Sequence, residues 1–118
     1  TMIFNSDDIE RCENGALIIV EGEDNLLTLK QLGLPGIAVP GLADLEKLNA
    51  ERFAYLHTLF IWVNHSSDSQ RAARNLATAL GYKARLIRWP EHTEKNYTLV
   101  RLAMDEQRHF QQTVFKLI

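Results

Sequence analysis

A single cysteine, Cys12, excludes an internal disulfide and a cysteine-rich zinc centre. No apolar run approaches the roughly 20 residues needed to cross a bilayer. The opening Thr1-Met2-Ile3-Phe4 lacks the charged segment that leads into a secretion signal. A cytoplasmic, reducing location with no membrane partner is therefore expected. No internal repeat or low-complexity segment interrupts the chain. A strong charge excess is missing too: 13 basic against 15 acidic residues leave a net charge of −2, too little for bulk attraction to nucleic acid.

The chain has 118 residues, 46% of them hydrophobic and 24% charged, as expected of one compact domain over residues 1–118 with a single core. Thr1 ahead of Met2 suggests a segment of a larger protein. Charge is unevenly spread. Residues 1–59 carry Arg11, Lys30, Lys47 and Arg52 against ten acidic residues, a balance of −6, while residues 60–118 carry nine bases against five acids, a balance of +4. Such asymmetry suits a basic, phosphate-meeting face beside an acidic one, and ordinary surface patterning produces it as well.

Four apolar runs have strand length: Ala16 to Val20, Ile37 to Val39, Leu59 to Val63 and Ala84 to Trp89. The first and third are almost continuously apolar, as strands buried on both faces of a parallel sheet are. Helical patterns lie between them. Asp24 to Leu32 aligns Leu26, Leu29 and Leu32 before Gly33 and the Pro35-Gly36 turn. Ala43 to Leu56, with a break near Asn49, turns Leu45, Leu48 and Phe53 inward. Ser67 and Gln70 have capping-box spacing ahead of the stripe Ala72, Ala73, Leu76, Ala77 and Leu80. A last helix is expected over Thr98 to Leu117. Alternating strands and helices imply an α/β fold, a mostly parallel four-stranded sheet flanked by helices.

Glu21 leaves the end of the first buried strand, where open α/β sheets form their ligand crevice, and is the first candidate for function. His65 and His92 fall in loops at strand ends and read as solvated loop histidines, a new imidazole metal site being the alternative. Ser66, Ser67 and Ser69 read as helix-capping residues, and Asp68 as a first-turn carboxylate facing the helix dipole. Lys83, Arg85 and Arg88 guard a sheet edge or meet phosphates. Trp62 and Trp89 read as core residues, with base stacking the alternative for Trp89.

Leu17-Ile18-Ile19-Val20-Glu21-Gly22-Glu23-Asp24-Asn25, then Gly33 and Ile37-Ala38-Val39-Pro40-Gly41, resemble the topoisomerase-primase (Toprim) domain, primase type. The resemblance covers nearly the whole chain. Aligning Ala72-Ala73 with the family's alanine pair sets Asn64-His65-Ser66 on its Asp-x-Asp motif, so both carboxylates are replaced. Pro90 and Thr93-Glu94-Lys95-Asn96-Tyr97 resemble the primase Lys-Asp-x-Asn-Asp segment, with Glu94 and Asn96 kept in kind. Ile3-Phe4-Asn5 and the terminal helix with Phe110 resemble primase-helicases of phages and mobile elements.

The resemblance implies a Toprim/Rossmann-like fold in which Glu21 is the acid or base. Glu21, Asn64, Ser66 and Glu94 would stand at a degenerate Mg²⁺ site; Arg71 and Arg74, on the helix that follows the Asn64 loop, and Lys95 are the candidate nucleic-acid contacts. A Glu, Asp, Asp set brings charge −3, whereas Glu21, Asn64 and Ser66 bring −1, a difference on the order of several kcal/mol of Mg²⁺ affinity. The expected function is a degenerate primase domain in DNA replication or mobile-element DNA metabolism. Its magnesium-dependent nucleotidyl transfer would be weakened or lost, and its partners would be single-stranded DNA template and the other domains of a primase-helicase. The alternatives are a non-catalytic nucleic-acid-binding or protein-interaction module and a Toprim nuclease of DNA repair.

Overall fold

The computed structural model describes residues 2–118; Thr1, whose place ahead of Met2 suggested a segment of a larger protein, lies outside them. A short helix α1 (Asp7–Arg11) precedes β1 (Ala16–Glu21), α2 (Glu23–Lys30), β2 (Gly36–Val39) and α3 (Leu42–Leu45). A 3-10 turn (Ala50–Phe53) leads to β3 (Thr58–Trp62), α4 (Ser67–Leu80) and β4 (Ala84–Leu86), and the chain ends in α5 (Leu99–Glu106) and α6 (Phe110–Leu117).

The four strands form one all-parallel sheet in the order β2-β1-β3-β4, the α/β architecture expected from the alternating pattern. Its apolar strands are continuous because both faces are covered. Leu17 and Ile19 pack with Leu45, Phe53, Ala73 and Leu76 on one side, while Ile18 and Val20 pack with Leu26, Leu29, Trp62, Leu99, Leu102 and Val114 on the other. Gly36 lets α2 lie close to the sheet: a Cβ there would sit 2.6 Å from a methyl of Leu29 and 3.3 Å from the Ile18 carbonyl oxygen. At the open edge of β2, Phe4 makes an isolated antiparallel bridge to Ala38 and the Asn5 amide donates to the Gly36 carbonyl.

Several expectations are corrected. The α4 cap is Ser66, whose Oγ accepts the Ser69 N–H at 3.1 Å, and Ser67 is already helical; the Gln70 amide donates to the Asn64 carbonyl instead of closing a capping box. The fourth strand ends at Leu86, with one further ladder bond from Ile87 N–H to the Ile61 carbonyl. Beyond it, the Trp89 indole N–H turns inward to the Val63 carbonyl at 2.8 Å and keeps that ring in the core. Finally, the expected helix over Thr98–Leu117 breaks at Gln107 (φ 46°). No residue from Met104 to His109 is buried, so nothing holds one helical axis through that stretch, and the chain turns to seat Phe110 and Val114.

The break near Asn49 occurs, with Asn49 Oδ1 accepting from Arg52 N–H, but the helix expected over Ala43–Leu56 is reduced to α3 (Leu42–Leu45) before it and the 3-10 turn (Ala50–Phe53) after it. β4 is an edge strand, and two cations in and just before it, Lys83 and Arg85, are tied to backbone. Lys83 Nζ donates to the Phe53 and Ala54 carbonyls, and Arg85 Nη1 to those of Tyr82 and Ala84. Among the described residues no helix is long and apolar enough to cross a membrane.

Candidate functional site

The two central strands, β1 and β3, run side by side, yet the chain leaves them in opposite directions, from β1 outward to β2 and from β3 outward to β4. Their carboxyl ends diverge into a crevice at this switch point, where α/β sheets receive ligands. Glu21 ends β1, and Asn64 lies two residues beyond β3. The fold thus brings together residues 43 positions apart: Glu21 Oε1 accepts the Asn64 N–H at 2.6 Å. Gly22, at φ 81° and ψ 145°, turns the chain sharply from strand to helix there, a backbone conformation that favours glycine.

Asn25 is the residue that the motif reading left without a role. Buried to 6% exposure on the first turn of α2, its amide nitrogen donates to the Glu21 carbonyl at 2.9 Å and to Asn64 Oδ1 at 2.8 Å. Its oxygen accepts the Val100 N–H at the start of α5 at 3.2 Å. One side chain thereby clamps β1, the β3–α4 loop and α5. The signal was an Asn inside the Glu-Gly-Glu-Asp-Asn run, but its partners lie 39 and 75 residues away.

The other candidates divide among neighbouring clefts. Glu21, Gly22, Glu23, Asp24, Asn25 and Asn64 line an opening of about 400 Å³ together with Thr98 and Val100. Ser66 and Lys95 instead line an adjoining polar cleft of about 320 Å³ with His65, Ser67, Gln70 and Thr93 at the start of α4. Glu94 lies on neither wall; its carboxylate pairs with Arg101 at 3.2 Å. Arg71 and Arg74 are exposed on α4, with Arg71 3.5 Å from Asp68 in that helix's first turn.

An antiparallel bridge between His65 and Tyr97 fastens the loop carrying Glu94 and Lys95 against the end of β3: His65 N–H donates to the Tyr97 carbonyl, and Asn96 N–H to the His65 carbonyl. The Tyr97 hydroxyl donates to Asp105, and Arg101 stacks over its ring at 5.3 Å. Burial first, and then the Asp105 carboxylate, push the phenol up to about 12, so it stays a proton donor at neutral pH.

No group of three or more His, Cys, Asp or Glu side chains among the described residues has the geometry to hold a metal ion. The oxygens at the motif positions are already engaged: Asn64 Oδ1 by Asn25, Ser66 Oγ by Ser69 N–H, and Glu21 Oε1 by Asn64 N–H.

No protein-family model matches the chain, and no curated protein matches its sequence. Solved structures do. The primase fragment of the bacteriophage T7 primase-helicase protein superposes with a TM-score of 0.69 at 17% identity, over 92% of this chain and 46% of that one. Primase domains of T7, seen with the phage's lagging-strand DNA polymerase, an RNA/DNA hybrid and dTTP, superpose with a TM-score of 0.66 at 19% identity, over 89% of this chain and 55% of theirs. The chain spans about half the length of the solved chains it matches. With strands in the order β2-β1-β3-β4 and a Glu-Gly turn at the switch point, the chain shares the parallel α/β fold of these phage primase structures.

Proposed function

We propose that the chain is a primase-type Toprim domain of a larger DNA-replication or mobile-element protein, in which magnesium-dependent nucleotidyl transfer is weakened or lost and nucleic-acid contact is retained. The carrying observation is the Asn25–Asn64–Glu21 network. Magnesium takes hard oxygen donors, usually one or two carboxylates with waters and phosphates. Here the motif supplies one carboxylate, one of whose oxygens accepts a backbone N–H, and two neutral oxygens that each accept a bond from the protein itself. That donor set does not fit the ion, and no catalytic step is assigned to it.

Nucleic-acid contact rests on different residues. Lys95 stands in the polar cleft at the amino end of α4, where free helical N–H groups suit a phosphate, and Arg71 and Arg74 project from the same helix. The T7 primase domains bound to an RNA/DNA hybrid support a nucleic-acid partner, and the T7 primase-helicase supports a setting beside other domains. Single-stranded template as that partner and the cytoplasm as that setting are part of the proposal.

Titration with Mg²⁺ or Mn²⁺ and a binding assay test the reading. The wild-type chain is expected to show no saturable site of high affinity, and Asn64→Asp with Ser66→Asp to create one. Single-stranded DNA should bind at low salt, each of Arg71→Ala, Arg74→Ala and Lys95→Ala lowering the salt slope by about 1. Tight metal binding by the wild type that Glu21→Gln abolishes, with primer synthesis by the full-length protein lost in the same variant, would overturn the loss of catalysis. Absence of DNA binding at low salt would overturn the rest.

A further inference from the structure

The opposite rim of the sheet, where parallel strands begin, holds a second feature. Glu13 and Asn14 lead into β1, Tyr55 to His57 into β3, and Tyr82 and Lys83 into β4, roughly 20 Å from Glu21 by the rise of a strand. A cleft of about 380 Å³ opens there over an apolar floor of Ile9, Phe53 and Leu56, which are buried to 6%, 1% and 3% exposure. Tyr55 and Leu56 also line a second cleft of about 330 Å³ that reaches Tyr82, so the two form one continuous surface. Tyr55 and Tyr82 are 75% and 84% exposed, more aromatic surface than a solvated rim requires and the residue type that protein interfaces favour.

Charge selects the occupant. Glu10, Glu13 and Glu51 stand on the rim of the first cleft with one cation, Arg52, which is bound to Glu10 at 2.8 Å, while Lys83 in the second cleft is held by the Phe53 and Ala54 carbonyls. Glu13 and Glu51 have no ion pair among the described residues. A nucleic acid is repelled there. A cationic chain with apolar side chains satisfies both features, because an arginine can lay its stem and guanidinium on a tyrosine ring and reach a carboxylate beyond it.

We propose that this rim is a docking surface for a basic, apolar-anchored peptide segment of a partner protein, with arginine against Tyr55, Glu13 and Glu51 and an aliphatic side chain along the exposed rings of Tyr55 and Tyr82. The surface is separate from the Glu21 crevice, so one domain can hold nucleic acid at one rim and a protein at the other.

The test uses the whole chain with two fluorescein-labelled peptides, one alternating arginine with leucine and one alternating glutamate with leucine. Only the arginine peptide should bind. Its amide-shift changes should be confined to residues 9–13, 51–57 and 82–83. Glu13→Lys with Glu51→Lys should weaken binding roughly tenfold or more, and Tyr55→Ala should weaken it by a smaller factor, while Arg71→Ala leaves it unchanged. No binding, equal binding by the Glu13→Lys/Glu51→Lys variant, or shifts gathered at Glu21 and Asn64 would overturn the proposal. So would a concentration-dependent dimer of the peptide-free protein that the same double variant dissociates, since the occupant would then be a second copy of this chain.

Discussion

Two carboxylates, Asp8 and Glu21, stand in opposite conditions. Asp8 is buried to 4% exposure and accepts from Lys30 Nζ at 2.7 Å, Gly36 N–H at 3.0 Å and Arg11 Nη1 at 3.1 Å, so it pins α1 to α2 and to the start of β2. Glu21 is half-buried and takes one side-chain bond, from Asn64 N–H. A buried charge has to be neutralised by its surroundings, whereas one at a crevice can keep acceptor capacity for something outside the protein. The difference separates a carboxylate that holds the fold together from one that the fold displays.

The largest expected effect comes from removing the buried member. Asp8→Ala leaves the buried Gly36 N–H without its acceptor and removes the charge-assisted bond to Lys30, which is partly exposed and can turn to solvent. The substitution should cost about 3 kcal/mol in urea unfolding. Asn25→Ala should follow at about 1–3 kcal/mol, because buried donors and acceptors from three segments lose partners at once. Loss of amide-exchange protection should be concentrated at Asn64 and Val100.

A weaker effect of the same origin as the first is set by acid. Burial alone would raise the Asp8 carboxyl, but the bonds from Lys30, Gly36 N–H and Arg11 together outweigh it and hold the group below its ordinary 3.8. A depressed carboxyl stabilises the protein above the unfolded-state value and loses that contribution as pH falls through the lower folded value. Unfolding midpoints should therefore decline on the acid side of 3.8, and Asp8→Asn should flatten that decline. Glu21→Gln should cost least, about 1 kcal/mol or below, since the amide oxygen can still accept the Asn64 N–H. A loss as large as that of Asp8→Ala would erase the distinction between the two carboxylates.

Much of the fold was legible because burial leaves a local trace. The unbroken Ala16 to Val20 and Leu59 to Val63 runs announced strands covered on both faces, and Leu45, Leu48 and Phe53 are buried as expected, although no single helix carries them. Less visible was α1, five residues of which only Asp8 and Ile9 are buried. Its role rests on an ion pair with Lys30, 22 positions away. The split between α5 and α6 was equally hidden, because Leu99, Leu102, Phe110 and Val114 fit helical spacing whether or not the axis bends between them.

At the site, the Glu-Gly run and the Asn64-His65-Ser66 triplet could be located from the chain alone, and with them the end of the sheet where they belong. Their chemistry could not. Local apolar periodicity determined which segments became strands and helices, since burial of a face repeats at the period of the element itself. Only the tertiary structure decided that Asn25 would bind both the 64 and 100 positions, that Glu94 would turn to Arg101, and that Asp8 would be sealed in while Glu21 remained at an opening. Hydrogen bonds and ion pairs join residues that meet across the sheet after folding, and no period along the chain encodes that meeting.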